Sequence, residues 1–321
     1  MIAVAHVWML ALALLLDAAV GDPDAVWRRV PHPVAIAGWL IGALDRGLNR
    51  GPLQYLAGIV AILLVVAIAW LVGLGLERAF DAFAFGWIGT VVVASILLAG
   101  RSLYDHVAAV RDAFFAGGIE AARIAVSRIV GRDPASLDEA RICRAAIEST
   151  AENFSDGIVA PALWFLLLGL PGLLAYKAIN TADSMIGHLT DHHRAFGWAS
   201  ARLDDLVNLP ASRIAGALVA LAAPAAGGTI KAAFGTMWAD AGRHRSPNAG
   251  WPEAAMAAAL GLALAGPRRY AGIIVNDPFL NERGRRDARP HDISRALRVY
   301  VVASAALFAV VALGSLFVFA L

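Results

Sequence analysis

The chain has 321 residues, of which 59% are hydrophobic and only 16% are charged. Soluble domains usually carry charge on about a quarter of their residues, so this composition favours a protein with a lipid-facing surface. The formal net charge of +2 gives no support to nucleic-acid binding, and the single cysteine, Cys143, excludes an intrachain disulfide framework or a cysteine-cluster metal site.

Uncharged segments of sufficient length predict transmembrane helices rather than a large, Ala-rich soluble enzyme. A helix needs about 20 apolar residues to cross the hydrocarbon core. Two uncharged segments meet this length, 55–76 and 299–321. Two shorter uncharged segments, 2–16 and 82–100, are predicted spans as well. We therefore predict an all-α, polytopic integral membrane protein with no convincing strand.

Three further apolar segments are short or interrupted by Pro and Gly, namely 157–176, 214–230 and 254–267. Irregular backbone at membrane depth must be buried in protein, so we expect these segments to be half-inserted or packed inside the molecule.

The Arg-rich loops predict the orientation. If the four segments above are the full spans, every such loop falls on one side, which the positive-inside rule assigns to the cytoplasm. We predict a multi-pass protein of the cytoplasmic (inner) membrane, with cytoplasmic active-site loops. The chain is expected to form a single membrane domain, 1–321, in which 101–156 is a cytoplasmic helical insertion.

Within 101–156, helical spacing of apolar residues is interrupted at Gly117-Gly118. Ser136-x-x-Glu139 has the pattern of a capping box, and the helix that it opens is predicted to end near Phe154.

His32 lies between Pro31 and Pro33 in a stretch that also contains Gly21-Asp22-Pro23. The flanking prolines fix the backbone. This pattern indicates either a rigid interfacial turn or a rigidly presented His that binds an anion or moves a proton.

Three carboxylates, Glu148, Glu152 and Asp156, are spaced by four residues and are predicted on one helical face, with Asn153 beside them. Like charges at this spacing are mutually destabilising. Something cationic is expected to offset them, either Mg²⁺, which takes oxygen ligands, or a facing Arg.

Polar residues also follow the apolar segment 157–176. Asn180 and Asp183 share a helical face, with Lys177 before them. Polar groups at the mouth of an apolar segment are functional candidates by default.

A fourth group contains Arg202, Asp204, Asp205, Asn208 and Arg213. Adjacent aspartates point about 100° apart on a helix. One of them is therefore expected to face a metal while the other pairs with Arg202, although an Arg–Asp pair that holds two helices together is the open alternative.

The fifth group is Arg243-x-Arg245-Ser246-Pro247-Asn248, followed by a helix predicted to begin near Pro252. Arginines and helix N-terminal amides are the donors that phosphate prefers, so this stretch predicts a phosphate cradle, with an ordinary turn as the alternative. His188, His192 and His193 have no acidic or cysteine companion at zinc spacing, which argues against a zinc site.

Taken in order, these motifs resemble the CobD/CbiB family of cobalamin biosynthesis, the membrane-bound adenosylcobinamide-phosphate synthases. The stretches that carry the resemblance cover nearly the whole chain; they are 21–34, 146–157, 176–187, 196–208 and 246–252. In one departure, this chain has Pro210-Ala211-Ser212-Arg213 where the family usually has Pro-Ala-Arg. We expect a different turn there and a retained role for Arg213.

The resemblance implies an ATP-dependent amide bond between a propionate of adenosylcobyric acid and aminopropanol or its phosphate. The lipid bilayer and other late cobalamin-pathway enzymes are the expected partners. Mg²⁺ and ATP are the expected cofactors.

Three roles are predicted on this basis. The Mg²⁺ ligands are predicted among Glu148, Glu152, Asp156, Asp183 and Asp205. The catalytic groups are predicted to be His32, Glu152, Asp156 and Asp204. Substrate or phosphate is predicted to bind Asn153, Lys177, Asn180, Arg202, Asn208, Arg213, Arg243, Arg245, Ser246 and Asn248. Two other classes stay open, a transporter and a sensory or regulatory membrane protein on the same scaffold.

Overall fold

The computed structural model describes residues 2–129, 137–270 and 273–320. In these ranges the chain is mostly helical, with very little strand, which confirms the predicted all-α class. The helices are α1 (Ile2–Val20), α2 (Asp24–Trp27), α3 (Pro33–Leu48), α4 (Gln54–Asp81), α5 (Trp87–Leu97), α6 (Gly100–Val126), α7 (Glu139–Phe154), α8 (Ala160–Ile186), α9 (Trp198–Leu221), α10 (Ile230–Asp240), α11 (Gly250–Leu260) and α12 (Pro290–Ala320).

Four short strands correct the expectation of a chain without strands. They are β1 (Leu264–Ala265), β2 (Arg268–Tyr270), β3 (Ile273–Val275) and β4 (Phe279–Leu280). β1 pairs antiparallel with β4, and β2 pairs antiparallel with β3, so the two pairs are nested between α11 and α12. Strands of two or three residues are too short to show the alternating pattern by which a strand is predicted.

Four helical stretches are long and apolar enough to cross a membrane, within the part of the chain described. They are Gln54–Asp81, Trp87–Val126, Glu139–Ile186 and Pro290–Phe317. The predicted segments 55–76 and 299–321 fall largely in the first and last of these. The predicted span 2–16 lies in a shorter apolar helix, Ala5–Val20, and the long stretch Glu139–Ile186 includes the segment 157–176 that we expected to be only partial. These stretches define a multi-pass membrane protein; its orientation stays a prediction.

Two predicted segments are not single helices. Segment 214–230 contains the end of α9, a 3₁₀ turn at Ala223–Ala226 and the first residue of α10. Segment 254–267 contains the second half of α11 and the strand β1.

The chain forms two compact units. Unit 1 consists of Met1–Ala99, Ala160–Asn208 and Val310–Leu321, and unit 2 consists of Gly100–Val159 and Leu209–Ala309.

In unit 1, α4 packs along α8. Small residues allow this close approach, as is usual for helices in lipid, where packing rather than water exclusion drives association. A Cβ added at Gly73 of α4 would lie 2.5 Å from the Cα of Pro171 in α8. The neighbouring core contains Ile41, Ile62, Ala182 and Phe196, all buried.

The predicted Pro–Gly interruption of segment 157–176 is confirmed as a kink inside α8. Gly169 has φ +64°, a left-handed conformation that favours glycine, and Pro171 follows it. The kink leaves the Leu170 amide without its helical partner, and the Glu77 Oε1 atom accepts a hydrogen bond from that amide at 2.9 Å. His6 lies next to this carboxylate, with its Nε2 atom 3.6 Å from Glu77 Oε1.

In unit 2, α6 is kinked at Gly117 and Gly118, as predicted. α7 ends at Phe154, also as predicted, but its N-cap is Asp138, whose side chain accepts a hydrogen bond from the Arg141 amide. Ser136 of the predicted capping box lies outside the described residues.

The start of α12 is fixed by a group of charged side chains in unit 2. Asp292 is buried and accepts hydrogen bonds from Arg285 at 2.6 Å and from Arg295 at 2.9 Å. Arg295 also donates to the carbonyls of Ala226 and Leu260, so it connects α12 to the ends of two other elements.

Candidate functional site

A buried polar network in unit 1 centres on Asp204. Its Oδ2 atom accepts a hydrogen bond from Asn208 Nδ2 at 2.9 Å, and its Oδ1 atom accepts a longer one from Asn180 Nδ2 at 3.4 Å. The Tyr176 hydroxyl donates to Asn208 Oδ1 at 2.9 Å. Only 8% of Asp204 and none of Asn208 is exposed. The structure therefore brings together three of the predicted polar residues on two helices.

Helical spacing explains how two separate motifs meet. Tyr176 and Asn180 lie one turn apart on α8, and Asp204 and Asn208 lie one turn apart on α9. Each pair presents its polar groups on one face. Asn208 also donates to the Asp204 carbonyl at 3.1 Å, which fixes its amide between the tyrosine and the carboxylate.

Burial raises the pKa of the Asp204 carboxyl to about 7, and repulsion from Asp183 adds to the rise, against the hydrogen bonds from Asn180 and Asn208. A carboxyl with a pKa near neutrality exchanges a proton readily under physiological conditions. Such groups concentrate at functional sites.

Of the prediction for the adjacent aspartates, the pairing of one of them with Arg202 is confirmed, and the metal-facing role of the other stays a prediction. Asp205 pairs with Arg202, whose Nη1 atom lies 3.1 Å from Asp205 Oδ2, whereas Asp204 turns into the buried network. Burial raises the pKa of Asp205, and the Arg202 charge opposes that rise. Lys177 is half-buried one residue after Tyr176, and its carbonyl accepts a hydrogen bond from Thr181.

In unit 2, Arg213 of α9 meets the predicted phosphate cradle. Its Nη1 atom donates to Asn248 Oδ1 at 3.0 Å, and its guanidinium carbon lies 4.6 Å from the centre of the Trp251 ring. In the described part of the chain, no hydrogen bond is donated by Arg213 Nε or Nη2. Burial lowers the pKa of this guanidinium, which stays charged at neutral pH.

The turn before α11 is fixed by Ser246. Its Oγ atom accepts hydrogen bonds from the amides of Asn248 and Ala249, both at 3.2 Å. Asn248 is buried, and its Oδ1 atom also accepts from Ser212 at 3.1 Å. α11 begins at Gly250, two residues before the predicted start.

The expected turn at Pro210 is wrong. Pro210 lies inside α9, which continues to Leu221. The continuous helix places Arg213 one turn beyond Leu209, whose carbonyl accepts a hydrogen bond from the guanidinium at 3.1 Å.

The two other predicted arginines of the cradle are exposed. Arg243 pairs with Asp240 at 3.2 Å and lies 3.8 Å from Glu282. Arg245 lies on the same turn, next to Ser246.

The carboxylates of α7 have different surroundings. Glu148 is buried and accepts a hydrogen bond from the Ala265 amide of β1 at 2.8 Å, whereas Glu152 is exposed. A π-helical turn, Ser155–Val159, follows α7 and contains Asp156. This turn adds a residue to the helical repeat, so the regular four-residue spacing does not extend to Asp156. Asn153 donates to the Ser149 carbonyl and hydroxyl.

His32 is the N-cap of α3. Its Nδ1 atom accepts a hydrogen bond from the Val34 amide at 3.2 Å, and its Nε2 atom lies 3.7 Å from Asp22 Oδ1. The Trp27 ring lies edge-on at 4.5 Å. The Pro-His-Pro stretch therefore starts a helix, which was not expected from the sequence; a role for His32 in anion binding or proton transfer stays a prediction.

Sequence reasoning missed the role of Tyr176 in the network and the pairing of His6 with Glu77. Tyr176 stands at the start of a motif that we singled out, but its hydroxyl acts through Asn208, 32 residues away. The signal for Glu77 was a lone carboxylate at the end of an apolar segment, which is a functional or structural candidate in a membrane protein.

These spans and buried polar networks define a multi-pass helical membrane protein. The family model described as CobD/Cbib protein matches residues 10–300, so the chain belongs to the CobD/CbiB family.

Similar curated proteins agree with this assignment. "Cobalamin biosynthesis protein CobD" of Sinorhizobium fredii is 52% identical over 91% of this chain and 91% of its own length. Proteins of the same name from Rhizobium meliloti and Rhodobacter capsulatus are 50% identical (92% of each chain) and 48% identical (95% of this chain and 96% of the relative). No solved structure matches.

Proposed function

We propose that this protein is a cobalamin-biosynthesis enzyme that forms an amide bond between a propionate side chain of adenosylcobyric acid and the amine of aminopropanol or aminopropanol phosphate, with hydrolysis of ATP to ADP and phosphate. Membership of the CobD/CbiB family supports the pathway. The observation that carries the reaction class is the buried Asp204 network, because it holds a carboxyl with a near-neutral pKa among amide donors.

The chemistry explains what such a site has to do. A carboxylate is a poor acyl donor, so the propionate oxygen first takes the γ-phosphoryl group of ATP, which leaves ADP and an acyl phosphate. The amine then attacks the acyl carbon, the C–O bond to phosphate breaks, and the amine loses a proton. Asp204, with a pKa near 7, is suited to accept that proton, since a general base works best near the ambient pH.

Phosphate binding is assigned to the turn before α11. Arg213 is held in place through Nη1, and Nε and Nη2 donate no hydrogen bond to the part of the chain that the structure describes. A guanidinium with free donors in a planar fork is suited to bind two phosphate oxygens at once. Arg243 and Arg245 would add positive charge at the exposed rim.

Two carboxylates beside the Asp204 network are the proposed cation ligands of unit 1. Asp183 and Asp205 offer carboxylate oxygen atoms, the ligands that Mg²⁺ takes. Asp183 and Asp205 would hold Mg²⁺ there. In unit 2, Glu152 and Asp156 are the carboxylates proposed to bind Mg²⁺ or to take part in catalysis.

The location follows from the same proposal. We place the protein in the cytoplasmic (inner) membrane with its active-site loops in the cytoplasm, where ATP and the corrinoid are. Other late enzymes of the pathway are the proposed partners.

The direct test uses protein purified in detergent. It is incubated with adenosylcobyric acid, ATP, Mg²⁺ and either aminopropanol or aminopropanol phosphate, and the amide product and ADP are measured by mass spectrometry and chromatography. We expect one ADP for each amide formed, and Arg213→Lys should raise the KM for ATP. Absence of amide product and of ADP with both amines would favour a transporter or a regulatory protein.

A further inference from the structure

A cluster separate from the Asp204 network lies in unit 1, where Asp45 near the end of α3 meets His192 and His193 in the segment between α8 and α9. The histidine Nε2 atoms lie 3.4 Å and 3.5 Å from the same carboxylate oxygen, Asp45 Oδ2. The potential donor atoms of the three residues all lie within 4.8 Å of one another. We propose that these side chains form a binding site for a Zn²⁺-like divalent transition metal, with water as the fourth ligand.

The residue types suit this class of ion. Two imidazoles and one carboxylate are a common set of three protein ligands for zinc, which leaves a fourth position open. Imidazole ligands favour transition metals, whereas Mg²⁺ takes oxygen ligands.

The distances also suit it. In a tetrahedral site with bonds of about 2.0–2.1 Å, neighbouring ligand atoms are separated by about 3.4 Å. The two separations from Asp45 Oδ2 match this value. They are longer than the range of about 2.7–3.2 Å that is usual for a hydrogen bond between nitrogen and oxygen, so the His192–Asp45 contact is a long hydrogen bond in the absence of metal.

Asn49 holds two of the proposed ligands in place. It is buried, and its Nδ2 atom donates to Asp45 Oδ1 at 2.9 Å and to the His192 carbonyl at 2.9 Å. The same Nδ2 atom lies 3.3 Å from His192 Nε2. The two N–H groups of this amide are used by the two shorter hydrogen bonds, so the lone pair of His192 Nε2 is left to bind the metal.

Solvent access is unequal across the cluster. The side chains of Asp45 and His193 are 16% and 19% exposed, whereas His192 is 61% exposed. The ion would therefore be held on one side by partly buried groups and open to water on the other. Bound metal would tie α3 to the segment that joins α8 and α9.

The sequence argued against zinc because the histidines have no acidic or cysteine companion at zinc spacing. Asp45 is 147 residues from His192, so only the fold brings the third ligand to the pair. His188, the other histidine of that segment, is exposed and is not part of the cluster.

The experiment uses full-length protein purified in detergent with a tag that contains no histidine. After treatment with a chelator, Zn²⁺ or Mg²⁺ is added, and bound metal is measured by elemental mass spectrometry. We expect one Zn²⁺ per chain at saturation and no competition from millimolar Mg²⁺. Co²⁺ in its place should give the intense visible absorption of a tetrahedral ion.

Three variants test the ligands: Asp45→Asn, His193→Gln and, as the matched control, His188→Gln. Altering a residue that only orients a ligand weakens metal affinity by about 10–100-fold, so loss of a ligand should weaken Zn²⁺ binding at least as much. The control should bind like the unaltered protein. Melting temperatures of the metal-free variants establish that they are folded.

Two results would overturn the proposal. One is Zn²⁺ binding of equal affinity in the Asp45→Asn and His193→Gln variants. The other is no Zn²⁺ binding by the unaltered protein, together with a melting temperature that falls in both variants, as expected for a His–Asp contact without metal. Neither measurement depends on amide formation, so the failure of the proposed function would leave this test intact.

Discussion

Asp204 is the residue whose surroundings differ most from those of a solvated aspartate. In the unfolded chain its carboxyl loses a proton near its usual pKa of 3.8, whereas in the folded protein burial raises the pKa to about 7. Between these two values the folded state binds more protons than the unfolded state. The free energy of unfolding therefore falls as the pH rises through this window, and the loss is complete above the folded pKa.

Replacing Asp204 by Asn should remove this dependence. The variant cannot ionise at this position. The melting temperature of the variant minus that of the unaltered protein should therefore be higher at pH 8 than at pH 5. This holds even if the altered hydrogen bonds lower the melting temperature of the variant at both pH values. Thermal unfolding in detergent at the two pH values measures the change. Glu120→Gln, at an exposed carboxylate of α6, is the control and should show no such rise; an equal rise in the control would contradict the assignment.

The same variant tests the proposed proton transfer. If Asp204 accepts the proton of the amine, the rate of amide formation should rise with pH through about 7 in the unaltered protein, and Asp204→Asn should lower kcat by about 10²–10⁴-fold and abolish that rise. A variant that keeps both the rate and the pH profile would exclude Asp204 as the base.

Glu77 makes a prediction that depends on one hydrogen bond. Its carboxylate accepts from the Leu170 amide at the kink of α8, where apolar surroundings offer no water in exchange. Glu77→Gln keeps an oxygen acceptor and should be tolerated, whereas Glu77→Leu should lower the melting temperature, since an unsatisfied buried amide costs about 1–3 kcal/mol. Equal melting temperatures in the two variants would show that the contact does not stabilise the kink.

At the scale of elements, the interface between α4 and α8 depends on which glycines face it. Gly73 lies against Pro171, whereas a Cβ at Gly75 on the same helix meets nothing within 4 Å. Gly73→Ala should therefore destabilise the protein by about 1–3 kcal/mol, as expected for overpacking. Gly75→Ala should be neutral or stabilise it by about 0.5–1 kcal/mol, because Ala favours the helix. Thermal unfolding of both variants compares them directly, and the reverse order would contradict this packing.

The elements that could be predicted from the sequence are those that a one-dimensional pattern specifies. Hydropathy located the long helices around 55–76 and 299–321, and the Gly117-Gly118 pair located the kink in α6. The strands β1 to β4 could not be predicted, because two or three residues carry no period. The helix through Pro210 was missed because a turn was expected there, as proline is usually unfavourable inside a helix, whereas α9 continues across it.

The site was predicted to a similar extent. Residues one helical turn apart, such as Asp204 and Asn208, could be placed on one face from their spacing. Contacts between distant segments could not, since nothing in the chain links Tyr176 to Asn208 or Asp45 to His192 before it folds. The difference in burial between Glu148 and Glu152 could not be predicted either, because it depends on which segment covers each residue. The Ala265 amide of β1 contacts Glu148.

At the scale of the whole molecule, the orientation in the membrane is the feature on which the proposed function depends most. ATP is cytoplasmic, so the Arg-bearing loops must be exposed there. The single Cys143 is fully buried, which makes the natural chain a suitable background for labelling introduced cysteines.

We expect cysteines at the exposed positions Arg245 and Arg283 to react with a membrane-impermeant maleimide only when the cytoplasmic face is open to the reagent, as in inverted vesicles. The positive-inside rule predicts this result because both positions lie in Arg-rich loops. The unaltered protein should stay unlabelled in both preparations. Labelling in sealed spheroplasts would place these loops outside, where ATP is absent, and would contradict both the predicted orientation and the proposed reaction.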